Sequence, residues 1–90
     1  MTEMGKLESY LNEALIPFEI GTILNTPQLF YPSKKERICD VICHEFSYGY
    51  DKGLLEIMGL TDTEDGVEGC LTAEEIFNRI KKHYFNIYLK

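Results

Sequence analysis

Three cysteines and two histidines, Cys39, Cys43, Cys70, His44 and His83, are the side chains suited to holding a soft metal or attacking a carbonyl. Cys39 and Cys43 stand four residues apart, so on a helix they share a face. His44 follows directly. A structural zinc site takes four ligands, usually from paired knuckles of the C-x2-C kind. Here the others would have to be Cys70, which follows a loop, and His83, on a different helix. The pattern reads instead as two small apolar side chains on a buried face, and no metal is expected. Cys70 with His44 or His83 would make a thiol nucleophile and its base. No signature of a cysteine enzyme surrounds Cys70. Its place just before a helix N-cap favours the thiolate and makes it at most mildly reactive. Neither an enzyme activity nor a cofactor is expected.

The run TDTEDGVEG, residues 61–69, invites a calcium reading and fails its spacing. With Asp62 as the first ligand, Val67 falls at the sixth position, where the loop needs glycine. With Gly66 sixth, Thr61 is first and Thr72 twelfth, so the obligatory acids are missing. Gly49, Gly53 and Gly59 fit no phosphate-cradling pattern. The run reads as a solvated acidic loop.

A different chemistry is written in SYGYDKG, residues 47–53. Gly49 and Gly53 suit a helix C-cap and a turn. Tyr48 and Tyr50 between them are either lids on the core or binding residues, large and amphipathic with little entropy to lose. Acids surround them. From Ile38 to Glu75 the chain holds ten, Asp40, Glu45, Asp51, Glu56, Asp62, Glu64, Asp65, Glu68, Glu74 and Glu75, against Lys52, a balance of 1 − 10 = −9 within a total of −6. The bases flank this span at Lys34, Lys35 and Arg37 and at Arg79, Lys81, Lys82 and Lys90. Such a chain is not expected to bind nucleic acid, since acids would meet phosphates. It suits a partner with a basic surface. The expected partner-facing side is Tyr48, Tyr50, Asp51, Glu56, Asp62, Glu64, Asp65 and Glu68.

The elements that must position these residues can be read from periodicity. Ninety residues with 44% apolar content make one small globular domain, 1–90. Residues 3–15 follow the i, i+3, i+4, i+7 rule of a helix that exits at Pro17. Residues 18–24 and 28–31 read as a hairpin whose prolines, Pro27 and Pro32, sit at its edges. Ser33 and Glu36 form a capping box, and residues 33–46 read as a helix carrying Ile38, Cys39, Val41, Ile42, Cys43 and Phe46. Residues 54–60 are a third strand or a short helix. Thr72 and Glu75 form a second capping box, opening a helix with Ile76, Phe77, Ile80, Tyr84, Ile87 and Tyr88 on one face. The order α-β-β-α-β-α predicts an α+β fold, a small, mostly antiparallel sheet (hairpin plus one strand) covered by three helices. Ile38, Ile42, Phe46, Ile76, Phe77 and Ile80 are expected to share its core. No segment reaches the ~18 apolar residues of a membrane helix. The acidic N-terminus lacks the apolar core of a signal peptide, so no membrane contact and a cytoplasmic location are expected.

The run GYDKGLLEIMGL, a variable acidic stretch and then LTAEEIFNRIKKHY resemble short uncharacterised accessory proteins of phages and prophages of Gram-positive bacteria. The likeness covers residues 47–84. Proteins of that kind and size include inhibitors of host systems, among them acidic anti-CRISPR proteins that occupy a nucleic-acid site. The resemblance implies a host-cell binding protein acting on a basic, nucleic-acid-binding target such as a CRISPR–Cas effector. The alternative is a non-inhibitory structural or regulatory phage protein that forms a homodimer through the Tyr/Ile face of the last helix.

Overall fold

Alternate residues of five short segments point the same way, and their apolar members close one side of a sheet. The computed structural model describes residues 1–88, without the side chain of Tyr88. Leu89, Lys90 and the Tyr88 ring expected on the last helix face lie outside the described residues. Helix α1 spans Glu3–Glu13 and helix α2 Ala73–Tyr88. Strands β1 (Glu19–Ile23), β2 (Thr26–Tyr31), β3 (Cys39–Ile42), β4 (Leu55–Met58) and β5 (Val67–Leu71) lie side by side in chain order, every neighbouring pair antiparallel. This is an α+β fold, with a five-stranded antiparallel sheet and two helices.

The register sets the core. Ile20, Leu29, Val41 and Ile57 form one row across β1 to β4. Leu29, Tyr31, Cys39, Val41, Leu55 and Ile57 are buried beneath Leu7 and Leu11 of α1 and Ile76 and Ile80 of α2. Each such aliphatic side chain contributes about 1.5–3 kcal/mol by leaving water. The helices contact each other through Tyr10 and Phe77, whose rings are 5.5 Å apart.

Three expectations are corrected here. The first is the size of the sheet, which has five strands rather than a hairpin plus one. Val67–Leu71, whose first three residues were expected in a solvated acidic loop, pairs with β4 as β5. The third helix, residues 33–46, does not form. Ser33 makes half of its box, accepting the Glu36 N–H at 3.0 Å, but only a turn follows. Cys39–Ile42 instead becomes β3, the middle strand, hydrogen-bonded on both sides. The residues that suggested helical spacing also alternate, with Cys39 and Val41 inward and Asp40 and Ile42 outward. Pairing with two waiting strands outweighs a helix bearing β-branched Ile38, Val41 and Ile42. The expected shared core therefore divides. Ile76 and Ile80 are in it and Phe77 is packed at its rim, while Ile38 and Phe46 are exposed and Ile42 lies on the outer sheet face.

The second capping box forms as expected. The Thr72 hydroxyl accepts the Glu75 N–H at 3.2 Å, and the Glu75 carboxylate accepts the Thr72 N–H at 3.0 Å. Among the described residues no helix is long and apolar enough to cross a membrane.

Candidate functional site

The antiparallel order separates two ends of the molecule. The β1–β2 turn, the β3–β4 connection and the starts of both helices lie at one end, where Thr2, Glu3, Met4, Thr26, Pro27, Cys43 and Gly53 line a common groove of about 290 Å³. The β2–β3 and β4–β5 connections and the C-terminal part of α2 lie at the other. There Leu60, Thr61, Asp62, Arg79, Lys82, His83 and Asn86 surround an open groove of about 370 Å³.

At the first end, residues 43–54 form a loop braced from within. The Ser47 hydroxyl accepts the His44 N–H at 3.0 Å and donates to the His44 carbonyl at 2.8 Å. His44 Nδ1 accepts the Phe46 N–H at 3.1 Å. Tyr48 donates its N–H to Glu56 at 3.0 Å, and its carbonyl accepts the Cys70 N–H at 3.1 Å. Gly49, at φ 97°, must be glycine on two counts, since a Cβ there would fall 2.8 Å from Cys70 Cα. A 3-10 turn, Tyr50–Lys52, follows and closes on Gly53 at φ 69°. No buried side-chain nitrogen or oxygen among the described residues lacks a partner. The loop thus satisfies its polar interior while leaving Phe46, Tyr48 and Tyr50 75%, 67% and 47% exposed beside the exposed acids Glu45 and Asp51. SYGYDKG is a hydrogen-bonded platform for aromatic rings. Folding has already fixed its backbone, so less ordering cost remains for binding.

The eight expected partner-facing residues do not form one patch. Tyr48, Tyr50 and Asp51 are together on this loop. Glu56 is only 9% exposed and serves as the loop's brace. Asp62, Glu64 and Asp65 are exposed at the opposite end, beyond the length of β4, about 13 Å at the usual strand rise. Asp65 accepts the Val67 N–H at 3.1 Å within its own turn. Glu68 is half-buried and held by Arg79 through two bonds of 3.0 and 2.8 Å, with Thr61 donating at 2.8 Å. The guanidinium is the main cause that holds the Glu68 carboxyl below its usual range.

Besides Asp65, which closes its own turn, four of the ten acids between Ile38 and Glu75 have internal duties. Asp40 is buried and accepts from Gln28 at 2.7 Å, Glu56 braces the loop, Glu68 pairs with Arg79, and Glu75 caps α2. The other six divide by end. Asp62, Glu64 and Asp65 share theirs with Lys34, Lys35, Arg37, Arg79 and Lys82, whereas Glu45, Asp51 and Glu74 lie at the loop end. Among the described residues Lys52 and Lys6 lie at the loop end, Lys6 paired with Glu3 at 2.9 Å, and the Lys81 ammonium reaches back along α2 to 5.4 Å from the Phe77 ring.

The thiols and imidazoles are dispersed. Cys39 is in the core, where burial pushes its pKa up to about 12. Cys43 borders the first groove and Cys70 is exposed on β5. His44 is committed to its loop, and His83 Nδ1 is 2.8 Å from the buried Tyr31 hydroxyl. Among the described residues no three His, Cys, Asp or Glu side chains gather closely enough to hold a metal ion.

Glu45 and Phe46 are also exposed on this loop, outside the partner-facing side expected from the sequence. Phe46 follows Cys39 at i+7 and Cys43 at i+3, so the helical spacing places it in a core that does not form. The signal against that reading was the Ser47–Gly49 turn immediately after it. Comparison with known families, curated proteins and solved structures finds no match for this chain.

Proposed function

We propose that this protein is a non-enzymatic inhibitor that docks its acid–aromatic loop on a basic, nucleic-acid-binding host protein. A defence effector of the CRISPR–Cas kind, met in the host cytoplasm, is the class of target. The supporting observation is the coincidence at one end of the molecule of three exposed aromatic rings, a braced backbone and a local excess of acids. Glu45 and Asp51 take the place of phosphates at the partner's Arg and Lys side chains. Phe46, Tyr48 and Tyr50 anchor the contact by burial and by stacking on guanidinium groups. The carboxylates mainly speed encounter and the rings set residence. No cofactor, metal or membrane takes part.

The test is capture of partners from nuclease-treated host lysate on the immobilised protein, followed by elution with a DNA or RNA oligonucleotide. Release of a captured protein by the oligonucleotide, and its absence from a Tyr48→Ala/Tyr50→Ala bait of unchanged melting temperature, is the expected result. A partner that resists the oligonucleotide, or that the double variant captures equally well, would defeat the proposal.

A further inference from the structure

The two edges of the sheet are treated differently. On β5, the Tyr48 carbonyl takes the Cys70 N–H, Cys70 itself is left-handed at φ 59°, and pairing with β4 shifts register between Leu55 and Ile57. The Tyr48 Cβ lies where a Gly69 side chain would be. These are the features that close an edge. The opposite edge, β1, has none of them. Its five residues, Glu19–Ile23, pair with β2 without interruption, contain no proline, lysine or bulge, and are exposed or half-exposed throughout.

The hairpin register shows which groups face outward. Ile23 and Thr26 flank a two-residue turn, Leu24-Asn25, with both central residues at positive φ, so they are a hydrogen-bonded pair. Alternation then makes Gly21–Gln28 and Glu19–Phe30 hydrogen-bonded pairs too. Ile20 and Thr22 are left with N–H and C=O directed away from the sheet.

We propose that a second copy of this chain pairs with this edge, β1 antiparallel to β1 about a two-fold axis at Gly21. In that register Ile20 faces the partner's Thr22 and Thr22 faces the partner's Ile20. Each pair exchanges two bonds, so all four outward groups of each strand are satisfied. Shifting the axis to Ile20 or Thr22 uses only one such pair within the strand. Gly21 meets the partner's Gly21 at the non-hydrogen-bonded position, where backbones approach most closely, to about 4.5 Å between Cα atoms. The charges also fit. Glu19 is opposite the partner's Ile23 rather than the partner's Glu19, which avoids a like-charge pair. Lys34 crosses the outer face at Gly21, its Cε 3.4 Å from where a Cβ would sit, and the two-fold sets the partner's Glu19 diagonally across from it. A five-residue edge falls short of the ~800 Å² per partner of a standard interface, so the association is reversible and concentration-dependent. It joins the sheets edge to edge and leaves both acid–aromatic loops free. It is independent of the proposed inhibitory role.

The test combines sedimentation equilibrium with residue-resolved amide exchange on the full chain, from micromolar to about 1 mM, the range of a weak complex. The mass should rise reversibly from 10.4 kDa towards twice that value. The amides of Ile20 and Thr22 should gain at least tenfold protection with concentration, while those of Gly21 and Ile23 are protected throughout. Thr22→Pro removes an outward N–H that the hairpin does not use, and Ile20→Lys guards the edge. Both should stay folded and monomeric. If the proline variant fails to fold, the lysine variant and the exchange pattern decide. A monomer at every concentration, or a dimer that survives Ile20→Lys with Ile20 and Thr22 amides unprotected, overturns the proposal. The second outcome would assign self-association to another surface, such as the outer side of α2.

Discussion

Cys39 and Cys70 carry the same thiol and differ in everything around it. Cys39 is enclosed by the core, and burial chiefly raises its pKa, with Asp40 adding to the shift. Thiol reagents at pH 8 should therefore label exposed Cys70 in the native protein and Cys39 only on unfolding, as mass spectrometry of a timed reaction would show. The same contrast separates Ile80 from Phe46. Ile80 is fully enclosed between α2 and the sheet, so Ile80→Ala should cost about 2–5 kcal/mol, read from denaturant unfolding. Phe46→Ala should change stability by no more than about 0.5 kcal/mol and weaken partner capture. The carboxylates of Glu68 and Glu3 also carry a pH signature. Arg79 followed by Thr61 lowers the pKa of Glu68, and the Ala73 N–H followed by Lys6 lowers that of Glu3. A depressed folded pKa means that the unfolded chain takes up the proton first as pH falls. The stability these pairs contribute is thus present above the usual carboxylate value of about 4.3 and lost as pH falls through the lower folded values. Thermal melts between pH 6 and 3 should show a shallower decline for Glu68→Gln than for the parent.

At the scale of elements, the end of α1 shows how a local rule can be obeyed with the wrong residue. Leu15 N–H bonds the Asn12 carbonyl and Ile16 N–H the Leu11 carbonyl, the paired closure of a Schellman motif, and Leu11 and Ile16 are both buried in the core. The position between helix and exit wants glycine, yet holds Leu15 at φ 58° and 84% exposed. A left-handed conformation costs an L-residue about 1–2 kcal/mol, and so exposed a side chain gives little back. Leu15→Gly should raise stability by about 1 kcal/mol, a gain of several degrees in melting temperature for a domain of this size. The two strong end signals of the sequence, Pro17 after α1 and the Thr72/Glu75 box before α2, marked real boundaries because both act within one turn of chain. The Ser33/Glu36 box misled because its local bonds are equally compatible with a turn. Only the presence of β2 and β4 on either side makes Cys39–Ile42 a strand.

Over the whole molecule, charge is sorted by the ends of the sheet rather than by position in the chain. Asp62→Asn/Glu64→Gln removes two exposed acids that share their end with Arg79, Lys82 and the Lys34–Arg37 turn. This pair should leave both melting temperature and partner capture nearly unchanged. Glu45→Gln/Asp51→Asn, at the loop end, should keep the fold and slow association at low salt. Equal effects of the two pairs in a salt series of binding kinetics would show that the molecule acts through its overall charge and not through one end.

The sequence by itself determined the class of fold, the two terminal helices, the β1–β2 hairpin and the negative balance of the middle of the chain. Each follows from composition or from spacing within a few residues. Only the tertiary structure decided that residues 39–42 join a sheet, that Glu56 and Glu68 are committed to Tyr48 and Arg79, and that Phe46 faces water. Those outcomes depend on partners distant in sequence, and the alternation of a short strand cannot be told from one helical face until its neighbours are in place.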